Sequence, residues 1–144
     1  MCPNAFRHIL RWVYGGDFLS VDDAKPIIRA YATADRLMMG SCKNLLMDQL
    51  RAYYRDNFCG ADTLQLVGEL GYGESSKIGK YMKEQLVHDW DCETFHDDHP
   101  EMLKAFFDMK SDFGFELAKA VVLRLDNDLN YARSHRGRQN TSLA

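Results

Sequence analysis

The sequence has no run of apolar residues long enough to cross a bilayer, and its start at Met1-Cys2-Pro3-Asn4 does not resemble a secretion signal. Its four cysteines are scattered, with no Cys-x-x-Cys pair among them. Free thiols in a reducing compartment are the simplest interpretation, so we expect an intracellular protein, cytoplasmic or nuclear. The formal net charge of -3 gives no reason to expect nucleic acid or an anionic membrane as a partner.

Signatures of catalysis are also absent. There is no Gly-x-Ser-x-Gly elbow, and no cysteine stands in a context that would lower its pKa. Residues 73–81 superficially match a phosphate-binding loop, but the spacing is one residue too long and Tyr81 stands where a Ser or Thr should hold magnesium. We expect a helix start here instead, capped by Ser75 or Ser76. The sequence therefore predicts no enzyme, no catalytic residue and no cofactor.

Helical periodicity is what the sequence does contain. Seven segments repeat apolar residues with a helical period, and none sustains the period of two that marks a strand. The first segment carries a stripe of five apolar side chains on one helical face: Phe6, Ile9, Leu10, Val13 and Tyr14. We predict an all-α fold of about seven short helices packed as helical hairpins, with at most one very short strand near Phe18. Each helix is too short to be stable alone, so its stripe must pack on its neighbours.

The C-terminal segment differs from the rest of the chain in composition. From residue 133 to residue 144 it contains three arginines, no acid and a single large apolar residue, Leu143. Such a segment buries too little apolar surface to offset the entropy lost on ordering. We predict a disordered tail over residues 133–144.

Two neighbouring segments carry motifs in a recognisable order. Residues 5–18 resemble the part of a BTB/POZ domain in which an amphipathic helix ends in a Tyr-x-Gly turn. Residues 27–37 are similar to that family's next helix, with its Ala-Asp-Lys/Arg signature at Ala34-Asp35-Arg36, and Lys43 follows at the usual distance. The resemblance is to the C-terminal half of a fungal-type BTB domain, and it defines a first unit over residues 1–57.

The following segments resemble the BACK-like helical extension that often follows a BTB domain. Paired helices are expected between residues 62 and 90, and His99-Pro100-Glu101 opens another, with proline at the favoured first position. We therefore predict a second unit over residues 58–132. The strands and long helix that open a complete BTB domain, and supply much of its dimer interface, have no counterpart in this sequence.

The resemblance implies a protein-interaction module. Domains of this family self-associate, bridge substrates to cullin-based ubiquitin ligases or bind transcriptional co-regulators, so the expected partners are proteins such as a cullin or another BTB protein. Because the elements that would cover the first helix are missing, we expect its apolar face to bind a partner. The predicted binding residues are Phe6, Ile9, Leu10, Trp12, Val13 and Tyr14. Trp12 lies off the main stripe, where an aromatic side chain can anchor a partner.

Two alternatives compete with this interpretation. His88, Cys92 and His96 are spaced by four, with His99 one turn further, and imidazole and thiolate groups are good zinc ligands. The first alternative is therefore a small metal-binding protein that uses these four residues. Pro100 and the surrounding acids favour a break between helices instead. Helix caps and solvated acids then explain these residues, and no metal ligand is predicted. The other alternative is a degenerate fragment without independent function.

Acidic residues dominate one region of the second unit. Eight acids lie between Glu84 and Asp108, against the single base Lys104. We expect this region to be a solvated acidic surface, which could steer a basic partner.

Overall fold

The computed structural model describes residues 3–13, 23–109 and 111–141, and every regular element within these ranges is a helix. For Trp12, Glu93, Thr94, His96 and residues 137–141 it describes the backbone alone. The α-helices are α1 (Pro3–Val13), α2 (Ala24–Arg36), α3 (Gly40–Tyr53), α4 (Ala61–Glu69), α5 (Lys77–Trp90), α6 (His99–Asp108) and α7 (Asp112–Thr141), with a 3-10 turn at Glu93–Asp98. The predicted all-α class is confirmed, and the position of the predicted short strand near Phe18 lies outside the described residues.

Helix starts follow local capping chemistry. The Asp23 side chain accepts a hydrogen bond from the Lys25 amide at the start of α2, at 3.2 Å. Ser76 caps α5 in the same way, accepting from the Gly79 amide at 3.1 Å, which confirms a predicted cap. Pro100 lies in the first turn of α6, where its missing N–H leaves no hydrogen bond unmade. The signals at Ser76 and Pro100 therefore predicted two helix starts to within one or two residues.

The core is a single continuous cluster of buried side chains that runs from Ile9 in α1 to Val121 in α7. α2 lies at the centre of its N-terminal part and packs against α1, α3 and α4. Its small residues Ala30 and Ala34 are buried, which allows neighbouring helices to approach closely. Further along, α4, α5 and α6 each pack on α7 or on one another. The cluster continues across the predicted boundary near residue 57, so the two predicted units share one core.

The start of α7 approaches α6 closely. A Cβ atom at Gly114 would lie 2.4 Å from the carbonyl oxygen of Phe106, well inside van der Waals contact. Only glycine fits there without displacing the α6 backbone. Phe113 and Leu117, on the same side of α7, are buried in the core. Gly114 thus allows the first turns of α7 to complete the bundle.

α7 is much longer than the short helices that the sequence predicted, and it continues into the predicted tail. It has 30 residues, and its side chains from Val122 to Arg136 are all exposed. The predicted disordered tail covered residues 133–144. The structure differs from this prediction over residues 133–141, which are helical, and residues 142–144 lie outside the described part. A helix satisfies its own backbone hydrogen bonds, so it can continue beyond the bundle that its first turns pack on. None of the described helices combines the length and apolar character needed to cross a membrane.

Candidate protein-binding surface

α1 is attached to the rest of the molecule chiefly through α2. Ala5 and Ile9 face α2 and are buried. Phe6, Leu10 and Val13 follow one another along one side of this contact, at spacings of four and three residues, so they form a row on the helix surface. They are 38%, 38% and 53% exposed, respectively. We call this row the apolar flank of α1.

The structure separates the predicted binding residues into three groups. Phe6, Leu10 and Val13 are exposed together as expected, whereas Ile9 lies in the core. Ile9 belongs to the same wide apolar stripe in the sequence. In the structure, α2 covers the edge of the stripe on which Ile9 lies. The side chain of Trp12 and all of Tyr14 lie outside the described residues.

The opposite side of the contact with α2 is basic. A groove of about 490 Å³ opens between the two helices, and its lining consists of Asn4, Ala5, Arg7, His8, Arg11, Pro26 and Arg29. No carboxylate is among these lining residues. The groove was not predicted from the sequence, although Arg7 and Arg11 are spaced by four and hence share a helix face. α1 therefore presents an apolar surface on one side and a cationic surface on the other.

Two residues of the family-like motif pair at the junction of α2 and α3. The Lys43 ammonium donates to the Asp35 carboxylate at 2.9 Å, and the Tyr72 hydroxyl donates to the other carboxylate oxygen at 3.0 Å. Lys43 holds the pKa of Asp35 below its usual value, and the Tyr72 hydrogen bond acts in the same direction. The pair fixes the turn between the helices and ties it to the loop after α4.

The histidine and cysteine segment does not form a regular helix. α5 ends at Trp90, a 3-10 turn follows, and α6 begins at His99, as the expected break between helices requires. The His88 side chain is 83% exposed. The His99 ring stacks on the Trp90 indole with centroids 3.7 Å apart, and its Nε2 donates to the Trp90 carbonyl oxygen at 2.9 Å. Among the described side chains, no group of three or more potential metal ligands comes together.

Asp89 has a structural role that the sequence did not indicate. The sequence predicts a solvated acid at this position, but the Asp89 side chain is only 6% exposed. One carboxylate oxygen accepts from the Cys59 amide at 3.0 Å. The other accepts from Gln85 Nε2 at 3.0 Å and lies 3.3 Å from His88 Nδ1. Asp89 therefore anchors the connection between α3 and α4 to the last turn of α5.

Other parts of the acidic region are on the surface, as expected. Asp97 and Asp98 are exposed. Asp91 pairs with Arg124 of α7, with oxygen and nitrogen 2.7 Å apart, which links the end of α5 to the long helix. The predicted acidic surface is thus correct for Asp97 and Asp98, and wrong for Asp89.

The segment that superficially matched a phosphate-binding loop is the start of α5. Ser76 donates to the carbonyl oxygen of Gly73 at 2.7 Å while accepting from Gly79. A Cβ atom at Gly79 would lie 2.0 Å from the Gly73 oxygen, so the loop folds tightly onto the helix. These contacts confirm the predicted helix start.

The buried cysteines carry no activated thiol. Burial raises the pKa of both Cys42 and Cys59, and the neighbouring charge of Asp89 raises that of Cys59 further. Both thiols therefore stay protonated at neutral pH and behave as small apolar core residues.

Comparisons with protein-family models, with curated proteins and with solved structures find no match for this chain. The BTB/POZ resemblance consequently depends on the motifs of the sequence itself.

Proposed function

We propose that this chain is a non-enzymatic protein-interaction module that binds a partner protein through the apolar flank of α1. The observation that carries this proposal is the exposure of Phe6, Leu10 and Val13 in one row on a helix held mainly by α2. A contiguous apolar row on a surface favours contact with another protein over contact with water.

Burial of the apolar flank by a partner would contribute to the binding free energy. Complete burial of a large apolar side chain contributes about 1.5–3 kcal/mol, and these three keep from 38% to 53% of their surface exposed. A partner that covered all three would gain roughly 1 kcal/mol from each. The row would then act as the apolar centre of an interface with a polar rim.

The partner class follows from the family-like motifs. We propose a BTB/POZ-like unit with a BACK-like extension, whose partner is a cullin or another BTB protein. The order of the motifs in residues 5–55 supports this assignment. The ion pair between Asp35 and Lys43 supports it as well, since both residues belong to the motif and meet at one helix junction.

Affinity purification followed by mass spectrometry tests the proposal. The wild-type chain is compared with Leu10→Asp and Val13→Asp, which place a charge in the apolar flank. Phe107→Asp is the matched control, because Phe107 is an exposed aromatic residue on α6, away from α1. Thermal unfolding of each purified variant checks that the fold is retained.

We expect the wild type and Phe107→Asp to recover a cullin or a BTB protein, and the two α1 variants to lose it. Equal recovery with all four proteins would show that the apolar flank is not the binding surface. Failure of the wild type to recover either class would contradict the proposed partner.

A further inference from the structure

The exposed part of α7 carries a second apolar row. Phe115, Val122, Leu125 and Leu129 are 68%, 60%, 47% and 58% exposed, respectively. Together with two alanines they follow the alternating spacing of three and four residues that is typical of coiled coils. We call this row the α7 seam, and it consists of Phe115, Ala118, Val122, Leu125, Leu129 and Ala132.

Packing within the monomer leaves the seam exposed except at Ala118, which is half-buried and packs against the core. The side of α7 that faces the bundle carries Phe113, Leu117 and Val121, all buried. At about 100° per residue, the seam lies roughly 110° around the helix from that side. It extends for 18 residues, or about 26 Å from first to last residue, most of it beyond the bundle. The length suits a pairing with another helix.

The charges beside the seam indicate which helix can pair with it. One flank of the seam carries Asp112, Lys119, Asp126 and Arg133, at intervals of seven residues and with alternating sign. In an antiparallel helix pair, the positions of this flank face the same flank of the other helix. Charges at such flanking positions determine the orientation and partner of a coiled coil. A flank that alternates in sign can therefore pair with a second copy of itself.

One register satisfies both the charges and the apolar layers. When Val122 lies opposite Leu125 of a second copy, Lys119 faces Asp126 of that copy and Asp112 faces Arg133. Twofold symmetry repeats each pair, so the charges of all four positions are matched on both helices.

The same register packs large side chains against small ones. Phe115 then lies opposite Ala132 of the second copy, and Ala118 lies opposite Leu129. Alternation of large and small residues across facing positions fills the space between helices efficiently. The register brings together six apolar layers, none of which contains a charged side chain.

Other arrangements lose this complementarity. A shift of seven residues in one direction places Asp126 opposite Asp126 of the second copy, and the opposite shift places Lys119 opposite Lys119. A parallel pair places Lys119 and Asp126 opposite Gly114 and Val121, which carry no charge, and retains an ion pair only between Asp128 and Arg133. The antiparallel register is therefore selected by its charges.

We propose that the α7 seam is a self-association surface, and that its occupant is the antiparallel α7 of a second copy of this chain. The two copies would bury the apolar residues that the bundle leaves exposed, with the ion pairs on the side away from the bundle. This inference does not depend on the apolar flank of α1, which lies on a different helix.

The molar mass of the full chain tests the proposal, measured by sedimentation equilibrium over a series of concentrations. We expect a reversible monomer–dimer equilibrium for the wild type. Leu125→Asp places a charge in a central layer and should yield a monomer throughout the series. Leu123→Asp is the matched control, because Leu123 is a similarly exposed leucine on the same helix but lies off the seam. It should retain the dimer.

Charge exchange tests the register. Asp126→Lys places two lysines together at each of two sites, and we expect it to raise the dimer dissociation constant roughly tenfold. Adding Lys119→Glu to Asp126→Lys restores opposite charges in the antiparallel register, and the double variant should recover the wild-type dissociation constant. Neither change would matter in a parallel pair.

A wild type that stays monomeric at every concentration would overturn the proposal. A dimer that survives Leu125→Asp, or that Leu123→Asp disrupts equally, would also overturn it. If the double charge variant dissociates as readily as the single one, the antiparallel register is wrong. A dimer that dissociates only with the α1 variants would move self-association to the apolar flank.

Discussion

Replacing Asp89 with alanine should destabilise the fold because one buried backbone amide loses its hydrogen-bond acceptor. Asp89 accepts three hydrogen bonds, but the groups that donate them differ in their access to water. Gln85 and His88 are partly or largely exposed, so they can hydrogen-bond to water instead. The Cys59 amide belongs to a residue with no exposed surface and would lose its partner. An unsatisfied buried donor costs about 1–3 kcal/mol, so we expect Asp89→Ala to lower the free energy of unfolding by about 2–3 kcal/mol.

Urea unfolding followed by far-ultraviolet circular dichroism measures this change. The transition midpoint should fall while the slope against urea stays the same, since the amount of buried surface changes little. Asp89→Asn keeps one oxygen acceptor for the Cys59 amide and should lose less stability than the alanine variant. Asp108→Ala removes an exposed acid and should change stability by less than about 0.5 kcal/mol. If Asp89→Ala matched Asp108→Ala, the anchoring role of Asp89 would be refuted.

Two further changes test local features of the fold. Gly79→Ala should destabilise the protein by about 1–3 kcal/mol, measured by thermal unfolding, because its Cβ would collide with the Gly73 carbonyl oxygen; an unchanged stability would mean that this loop is loose. Lys43→Met should raise the pKa of Asp35 towards its ordinary value, measured by NMR titration of the carboxyl group, because Lys43 is the main cause that lowers it. Since the folded-state pKa of Asp35 is lowered, the stability from this pair is present at neutral pH and is lost as the pH falls through that pKa. An Asp35 pKa that did not move would contradict the ion pair.

Local signals in the sequence were sufficient to predict the fold class and several helix starts. Ser76 and Pro100 act within one turn of their own position, so the sequence around them contains all the relevant information. The apolar period likewise located the helices, because each helix must bury one face. The period did not show which edge of a wide stripe a neighbour would cover, and Ile9 of α1 was therefore assigned to the surface.

Long-range contacts explain the features that the sequence did not predict. Asp89 is buried because its partner, the Cys59 amide, lies 30 residues earlier in the chain. The end of α7 was missed for another reason: the side chains from Val122 to Arg136 are all exposed, so no buried apolar face marks how far the helix continues. Arg7 and Arg11 could be assigned to one helix face from the sequence, but the groove needs Pro26 and Arg29 of α2 opposite them.

The central claim is that the apolar flank of α1 binds a partner protein. The most direct measurement is the dissociation constant between the purified chain and the cullin or BTB protein that it recovers, for the wild type and for Val13→Asp. Placing a charge in the buried centre of that interface should raise the dissociation constant at least tenfold, which is about 1.4 kcal/mol, while Phe107→Asp should leave it unchanged. A dissociation constant that is the same for Val13→Asp and for the wild type would contradict the claim.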